Sequence, residues 1–60
     1  MEAIRIVSIS EYANERMEYV LSNDDKVVLW DDGELYHSDG TLSLDEYEEF
    51  FEQYGIRFRP

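Results

Sequence analysis

The stretch DGTLSLDEYEEFFEQYG, residues 39–55, decides how this chain folds, because it contains a turn, a helix start and a helix stop in one run. Ser43 and Glu46 have the spacing of a capping box, in which each side chain accepts a hydrogen bond from the other residue's backbone N–H. Gly55 is placed to end the helix in a left-handed conformation. The stretch predicts one α-helix over residues 43–54.

The same residues also fit the second half of an EF-hand calcium loop. Gly40, Leu42 and Glu46 would take its sixth, eighth and twelfth positions. That register puts Leu35 first and His37 third, where oxygen ligands are needed. The leucine side chain has no oxygen atom and cannot coordinate calcium. Because the capping box accounts for these residues without a metal, we expect neither a metal site nor a cofactor.

The residues before the helix alternate in polarity and predict an antiparallel sheet. Turn signals Asn-Asp-Asp and Asp-Asp-Gly separate the segments. The predicted strands are AIRIVSI at 3–9, then segments 16–22, 26–31 and 34–37, and a short last strand in IRFR at 56–59. The segment SEYANER between the first two is compatible with a short helix or a loop. We therefore predict a single α+β domain over residues 1–60, with four or five short antiparallel strands packed with one helix.

Composition narrows the class of function. Fifteen Asp and Glu stand against five Lys and Arg, for a formal net charge of −10, and there is no Cys. Such a field repels nucleic acid and anionic membranes and attracts basic surfaces. The missing cysteines exclude disulfides and thiolate metal sites. No segment resembles a signal peptide or a membrane span, so we expect a soluble, cytoplasmic protein that does not bind membranes or nucleic acid directly.

Catalysis is not expected. His37 is the only histidine, there is no Cys nucleophile, and the GxSxG, Walker and HExxH spacings are all missing. General acid–base chemistry also needs a pocket that shifts a pKa, and a chain of 60 residues rarely encloses one. The sequence predicts a protein that acts by binding.

The distribution of acids on the helix indicates where binding would occur. An inward stripe is predicted from i, i+3, i+7 and i+10 spacing: Leu44, Tyr47, Phe51 and Tyr54. The opposite side carries a nearly continuous acidic face: Asp45, Glu48, Glu49 and Glu52. This face is interpreted either as an imitation of DNA phosphates that docks on a basic protein, or as a solvated surface that maintains solubility, or as an adaptation to a high-salt cytoplasm.

Aromatic residues beside the acids point towards an interface. Phe50 and Phe51 are neighbours separated by one helical step, so we expect one of them at the edge of the core. With Tyr47 and Tyr54 it would form an apolar patch rimmed by acid, and Trp30 would be half exposed in the same way. The patch could instead be buried in a homodimer.

Residues 30–55, WDDGELYHSDGTLSLDEYEEFFEQYG, resemble the phage-encoded dimeric uracil-DNA glycosylase inhibitors. That family has a hairpin with an acidic Asp-Gly turn, a Leu-Ser-Leu cap and one aromatic-acidic helix. The resemblance implies a helix-paired dimer in which Tyr47 and Phe51 form a pocket for an enzyme's DNA-probing leucine, with Glu48 as the neighbouring acid. Anti-CRISPR proteins and other counter-defence inhibitors have the same general composition.

The predicted function is therefore non-enzymatic inhibition of a basic nucleic-acid-binding protein by DNA mimicry, in the cytoplasm of an infected bacterial host. The alternative is an acidic interaction module or regulatory subunit that docks on a basic partner without mimicry. The predicted partner-binding residues are Trp30, Asp31, Asp32, Asp45, Tyr47, Glu48, Glu49, Phe50, Phe51 and Glu52.

Overall fold

The computed structural model describes residues 3–60. Its elements are β1 (Ile6–Ala13), β2 (Arg16–Leu21), β3 (Lys26–Trp30), β4 (Leu35–Asp39) and α1 (Leu44–Gln53). The strands form one antiparallel sheet in the order β1-β2-β3-β4, and the helix packs on one side of it. This confirms the predicted α+β class and the meander. Within the described part of the chain, no helix combines the length and the apolar character needed to cross a membrane.

The first strand lies later in the chain than predicted. It begins at Ile6 and continues to Ala13, so SEYA is strand rather than helix or loop. Its pairing with β2 shifts register between Ile6 and Ser8 and again between Glu11 and Ala13. Each shift is a bulge that adds a residue to β1, which lets the strand follow β2 along its whole length.

The two hairpins on either side of β3 close in the same way. Leu21 N–H donates to the Asp25 carbonyl and Trp30 N–H donates to the Glu34 carbonyl, both at 2.8 Å. Each three-residue loop ends in a left-handed residue, Asp24 at φ 72° and Gly33 at φ 92°. The predicted turn signals therefore form the turns. Asp24 is the left-handed residue of the first loop, and Gly33 is the left-handed residue of the second.

Both predicted helix signals are confirmed. Ser43 N–H donates to the Glu46 carboxylate at 2.9 Å, and Glu46 N–H donates to the Ser43 hydroxyl at 3.2 Å. At the other end, Gly55 has φ 71° and its N–H donates to the Glu52 carbonyl, while Ile56 N–H donates to the Phe51 carbonyl. These two bonds make a Schellman motif, which satisfies carbonyls that the helix leaves free.

The expectation that Phe50 or Phe51 lies at the edge of the core is wrong. Both are buried, at 7% and 0% exposure, and their rings meet edge to face. With about 100° between successive residues, the two side chains lie about 50° to either side of the direction that faces the sheet. The predicted inward residues Leu44 and Tyr54 are instead each 45% exposed, because they lie at the two ends of the helix.

The tail after the helix is not a strand. Residues 56–58 lack strand pairing, and only Arg59 forms an isolated parallel bridge, to Glu34. Arg59 N–H donates to the Gly33 carbonyl and Leu35 N–H donates to the Arg59 carbonyl, both at 2.8 Å. The tail follows this course because Phe58 enters the core, where its ring stacks on Phe51 at 5.6 Å. It thereby covers the start of the β4 edge.

Candidate functional site

A buried polar contact joins the helix to the sheet. Asp25, only 3% exposed, accepts hydrogen bonds from the Tyr47 hydroxyl at 3.0 Å and from the Thr41 backbone N–H at 3.1 Å. Gly40 packs directly over the pair, and a Cβ there would overlap both the Asp25 carboxylate and the Tyr47 hydroxyl. The glycine of the predicted turn is therefore required by this close approach.

The environment of Asp25 favours its charged form. Burial raises the pKa of this carboxyl, but hydrogen bonds from Thr41, Asn23 and Tyr47 outweigh burial, so its pKa lies below the usual 3.8. Burial and the bond to Asp25 both raise the pKa of Tyr47, which keeps its hydroxyl protonated as the donor. The pair therefore stays bonded at neutral pH and orients the first turns of the helix.

Four exposed carboxylates run along the outer side of the helix; we call them the acidic stripe: Asp45, Glu48, Glu49 and Glu52. At about 100° per residue they fall within an arc of about 100°, opposite the buried Tyr47, Phe50 and Phe51. Glu46 lies outside this arc, and hydrogen bonds from the Ser43 backbone and hydroxyl lower its pKa. The helix thus separates its core side from a single line of negative charge.

Shallow depressions flank the acidic stripe. One, of about 370 Å³, lies between Glu48 and Glu52 on the helix and Ile56 and Phe58 on the tail. The other, of about 270 Å³, has Glu49 and Phe50 on its helical side. Apolar atoms therefore lie close to the carboxylates on both flanks.

Three aromatic residues predicted as partner contacts are buried, and for Tyr47 and Phe51 this agrees with the predicted inward stripe. Tyr47, Phe50 and Phe51 are 1%, 7% and 0% exposed, because a chain of this size uses its large rings to fill the core. They support the acidic stripe from beneath, and of the three only Phe50 reaches the surface, where it lines the second depression. The pocket that the resemblance implies for Tyr47 and Phe51 is therefore not open in this fold.

Three other predicted site residues lie away from the acidic stripe. Leu29 packs in the core on the helix side, so Trp30, the next residue of the strand, faces the opposite side of the sheet. Asp31 and Asp32 follow it in the exposed turn. The fold brings Asp45, Glu48, Glu49 and Glu52 together and separates them from Trp30, Asp31 and Asp32. The residues predicted as partner contacts therefore lie on two separate surfaces.

The second surface centres on Arg16, a residue that no sequence pattern singles out. Its guanidinium lies over three rings, 4.5 Å from the centre of Tyr36, 4.8 Å from Trp30 and 5.8 Å from Tyr12. Each strand contributes one member, so the cluster spans the sheet. Cation–π contacts of this kind hold an arginine without a carboxylate. No local pattern reveals the cluster, because its members meet only through strand pairing.

Acids surround the adjoining turns. A depression of about 490 Å³ is lined by Glu15, Trp30, Asp31, Asp32 and Glu34. Asp32 is paired with Arg59 at 3.2 Å, but both side chains are more than half exposed, so solvent screens this pair. Within residues 3–60, no group of three or more His, Cys, Asp or Glu side chains is arranged to hold a metal ion.

Comparison with known proteins adds no relative: no protein-family model, curated protein or solved structure matched the chain. The resemblance of residues 30–55 to glycosylase inhibitors therefore stays a prediction. The candidate site rests on the physical character of the acidic stripe.

Proposed function

We propose that this protein is a non-enzymatic inhibitor that docks its acidic stripe in the basic cleft of a nucleic-acid-binding protein and so excludes DNA. The observation that supports this most is the alignment of four exposed carboxylates along one side of a helix whose other side is buried. Opposite charges across an interface steer encounter and select partners. A chain with net charge −10 is attracted to the surfaces that attract DNA.

The spacing of the acidic stripe suits phosphate mimicry. Asp45 and Glu52 are seven residues apart, which at about 1.5 Å per residue is about 10.5 Å along the axis. Four carboxylates over that length give one charge per about 3.5 Å. Phosphates of one DNA strand follow at about 3.4 Å along the duplex axis. A row of lysines and arginines that fits the phosphates of a DNA strand would therefore meet carboxylates at a similar average spacing along the acidic stripe.

The stripe is also held rigidly, which lowers the entropy lost on binding. The capping box holds the start of the helix and the Schellman motif its end. Tyr47 also bonds to Asp25, which directly precedes β3, and the Tyr54 hydroxyl accepts from Ile6 N–H at 3.3 Å. A partner therefore meets carboxylates on a preformed scaffold.

The target class that fits is a DNA-binding enzyme of a bacterial host, such as a uracil-DNA glycosylase or a CRISPR nuclease, met in the cytoplasm during phage infection. Docking on a basic partner without mimicry is the second candidate, and the second surface favours it, because an acid-lined depression adjoins the rings around Arg16. That surface presents half-exposed Tyr12 and Tyr36 rings, which do not imitate a phosphate backbone.

The test begins with tagged protein incubated in bacterial lysate at low and high salt, with bound proteins identified. Captured nucleic-acid-binding proteins are then purified and titrated with labelled DNA and the inhibitor. We expect the inhibitor to displace DNA and to bind less tightly as salt rises. A captured protein that keeps its DNA while bound refutes mimicry and favours the docking module.

Matched charge variants locate the surface. The triple variant Glu48→Gln, Glu49→Gln, Glu52→Gln removes three charges from the stripe, and Asp31→Asn, Asp32→Asn, Glu34→Gln removes three from the turn beyond Trp30. We expect the first to weaken binding at least about tenfold at low salt and to flatten its salt dependence, and the second to do much less. Equal losses would mean that only total charge matters.

A further inference from the structure

We propose that β1 is a homodimer interface: it pairs antiparallel with β1 of a second copy of the chain, joining the two four-stranded sheets edge to edge about a two-fold axis. This inference does not depend on the proposed function. It assigns a site and a geometry to self-association, and both differ from the helix-paired dimer that the resemblance implies.

Of the two edges of the sheet, the β1 edge is the more open. Within residues 3–60, β1 pairs only with β2, so the groups along its other side have no neighbouring strand, and at the start of this edge Ile6 N–H donates to the Tyr54 hydroxyl. The opposite edge is different, because Arg59 bonds to Gly33 and Leu35 at the start of β4. A two-fold pairing uses the β1 edge of both copies and is therefore closed, while the tail covers the start of the β4 edges that remain.

The side chains of β1 match an interface better than a solvated edge. Six large hydrophobic residues are exposed in the described chain, and three of them lie on this one strand: Val7 at 53%, Ile9 at 54% and Tyr12 at 51%. In a chain of such high charge, IVSISEYA carries a single acid, Glu11, and neither Lys nor Pro. Lysine and proline are common protections of a free edge.

The bulges limit the register of the proposed contact. They leave Ser8 to Glu11 as the regular part of β1. Ile9 pairs with Tyr19, whose ring contacts Phe51, so Ile9 lies on the helix side of the sheet. Opposed residues of antiparallel strands share a side, and an axis at Ile9 meets this condition: Ile9 faces its own copy, and Ser8 faces Ser10 of the second copy.

Electrostatics favour this interface over a helix-to-helix one. A two-fold axis perpendicular to the sheet keeps both helices on the same side and turns neither acidic stripe towards the other. Pairing the outer sides of two helices would instead oppose stripe to stripe, where like charges repel. The edge dimer would present both stripes on one surface, which doubles the line of charge available to a partner.

The test is the molar mass of the full chain by light scattering after size exclusion, over rising protein and salt concentration. We expect twice the 7.2 kDa chain mass at high concentration, and tighter association as salt screens the repulsion between copies. Docking on a basic partner must weaken with salt, so the two proposals can fail separately. A monomer at every concentration and salt overturns the edge dimer.

Two substitutions to lysine locate the interface. Ile9→Lys would set two ammonium groups against each other at the axis and raise the dimer Kd at least about tenfold. The control Leu44→Lys makes the same change at a helix position that is 45% exposed. Because both lower the net negative charge equally, loss of the dimer in Ile9→Lys alone identifies β1. Circular dichroism confirms folding, and a dimer that Ile9→Lys leaves intact refutes the assignment.

Discussion

Tyr47→Phe tests the polar contact that joins helix to sheet. The substitution keeps the buried ring and removes the hydroxyl that donates to Asp25 at 3.0 Å. Asp25 is 3% exposed, so water does not easily replace the lost donor. Hydrogen bonds to charged groups contribute about 1.5–3 kcal/mol, and we expect a loss of about 2 kcal/mol at neutral pH. For a domain of this size that lowers Tm by roughly 8–16 °C.

The pH dependence separates this hydrogen bond from simple packing. The pKa of Asp25 is lowered in the fold, so its contribution is present above the unfolded pKa and is lost as pH falls through the folded pKa. The pKa of Tyr47 is raised, so its contribution is present below the unfolded pKa near 10 and is lost as pH rises through the folded pKa. The stability gap between wild type and Tyr47→Phe should be widest between these limits and narrow at both extremes.

The assay is urea unfolding followed by circular dichroism from pH 3 to pH 11 on both proteins. Tyr36→Phe is the control, because it removes a hydroxyl from a ring that is 45% exposed. We expect this control to match wild type within about 0.5 kcal/mol at every pH. A Tyr47→Phe gap that stays constant across the whole range would falsify the assignment of a charged Asp25 as the acceptor.

Three further substitutions test single features by thermal or urea unfolding. Gly40→Ala should cost roughly 3 kcal/mol or prevent folding, because its methyl group would overlap Asp25 and Tyr47; stability near wild type would show that the contact is loose. Asp24→Gly should gain about 0.5–1 kcal/mol, because Asp24 has φ 72°, and a loss would mean that its side chain is needed. Ser43→Ala should cost about 1 kcal/mol through loss of the N-cap acceptor, and an unchanged Tm would contradict that role.

Local patterns predicted the elements whose cause is local. The helix was predicted at 43–54 and lies at Leu44–Gln53, because its cap and stop are set by neighbouring residues. The strand predicted at 26–31 is β3, Lys26–Trp30, because a continuous apolar run between two turns has few alternatives. The first strand was misplaced, since bulges that extend β1 to Ala13 depend on its partner β2 and leave no periodic signal.

The candidate site divides in the same way. The acidic stripe was predicted in full, because helical periodicity alone places Asp45, Glu48, Glu49 and Glu52 on one side. The inward rings were only partly predicted: periodicity does not reveal that the core has room for both Phe50 and Phe51. A local pattern also does not reveal how completely the sheet covers these rings.

The sequence by itself determined the turns, the helix and the line of acids along it, because each depends on residues within a few positions of one another. Only the tertiary structure decided that Asp25 is the buried acceptor for Tyr47, that Arg16 lies among three rings, and that Trp30 faces away from the helix. These contacts join residues far apart in the chain. Their geometry follows from strand register and helix docking, which are settled only when the whole core packs.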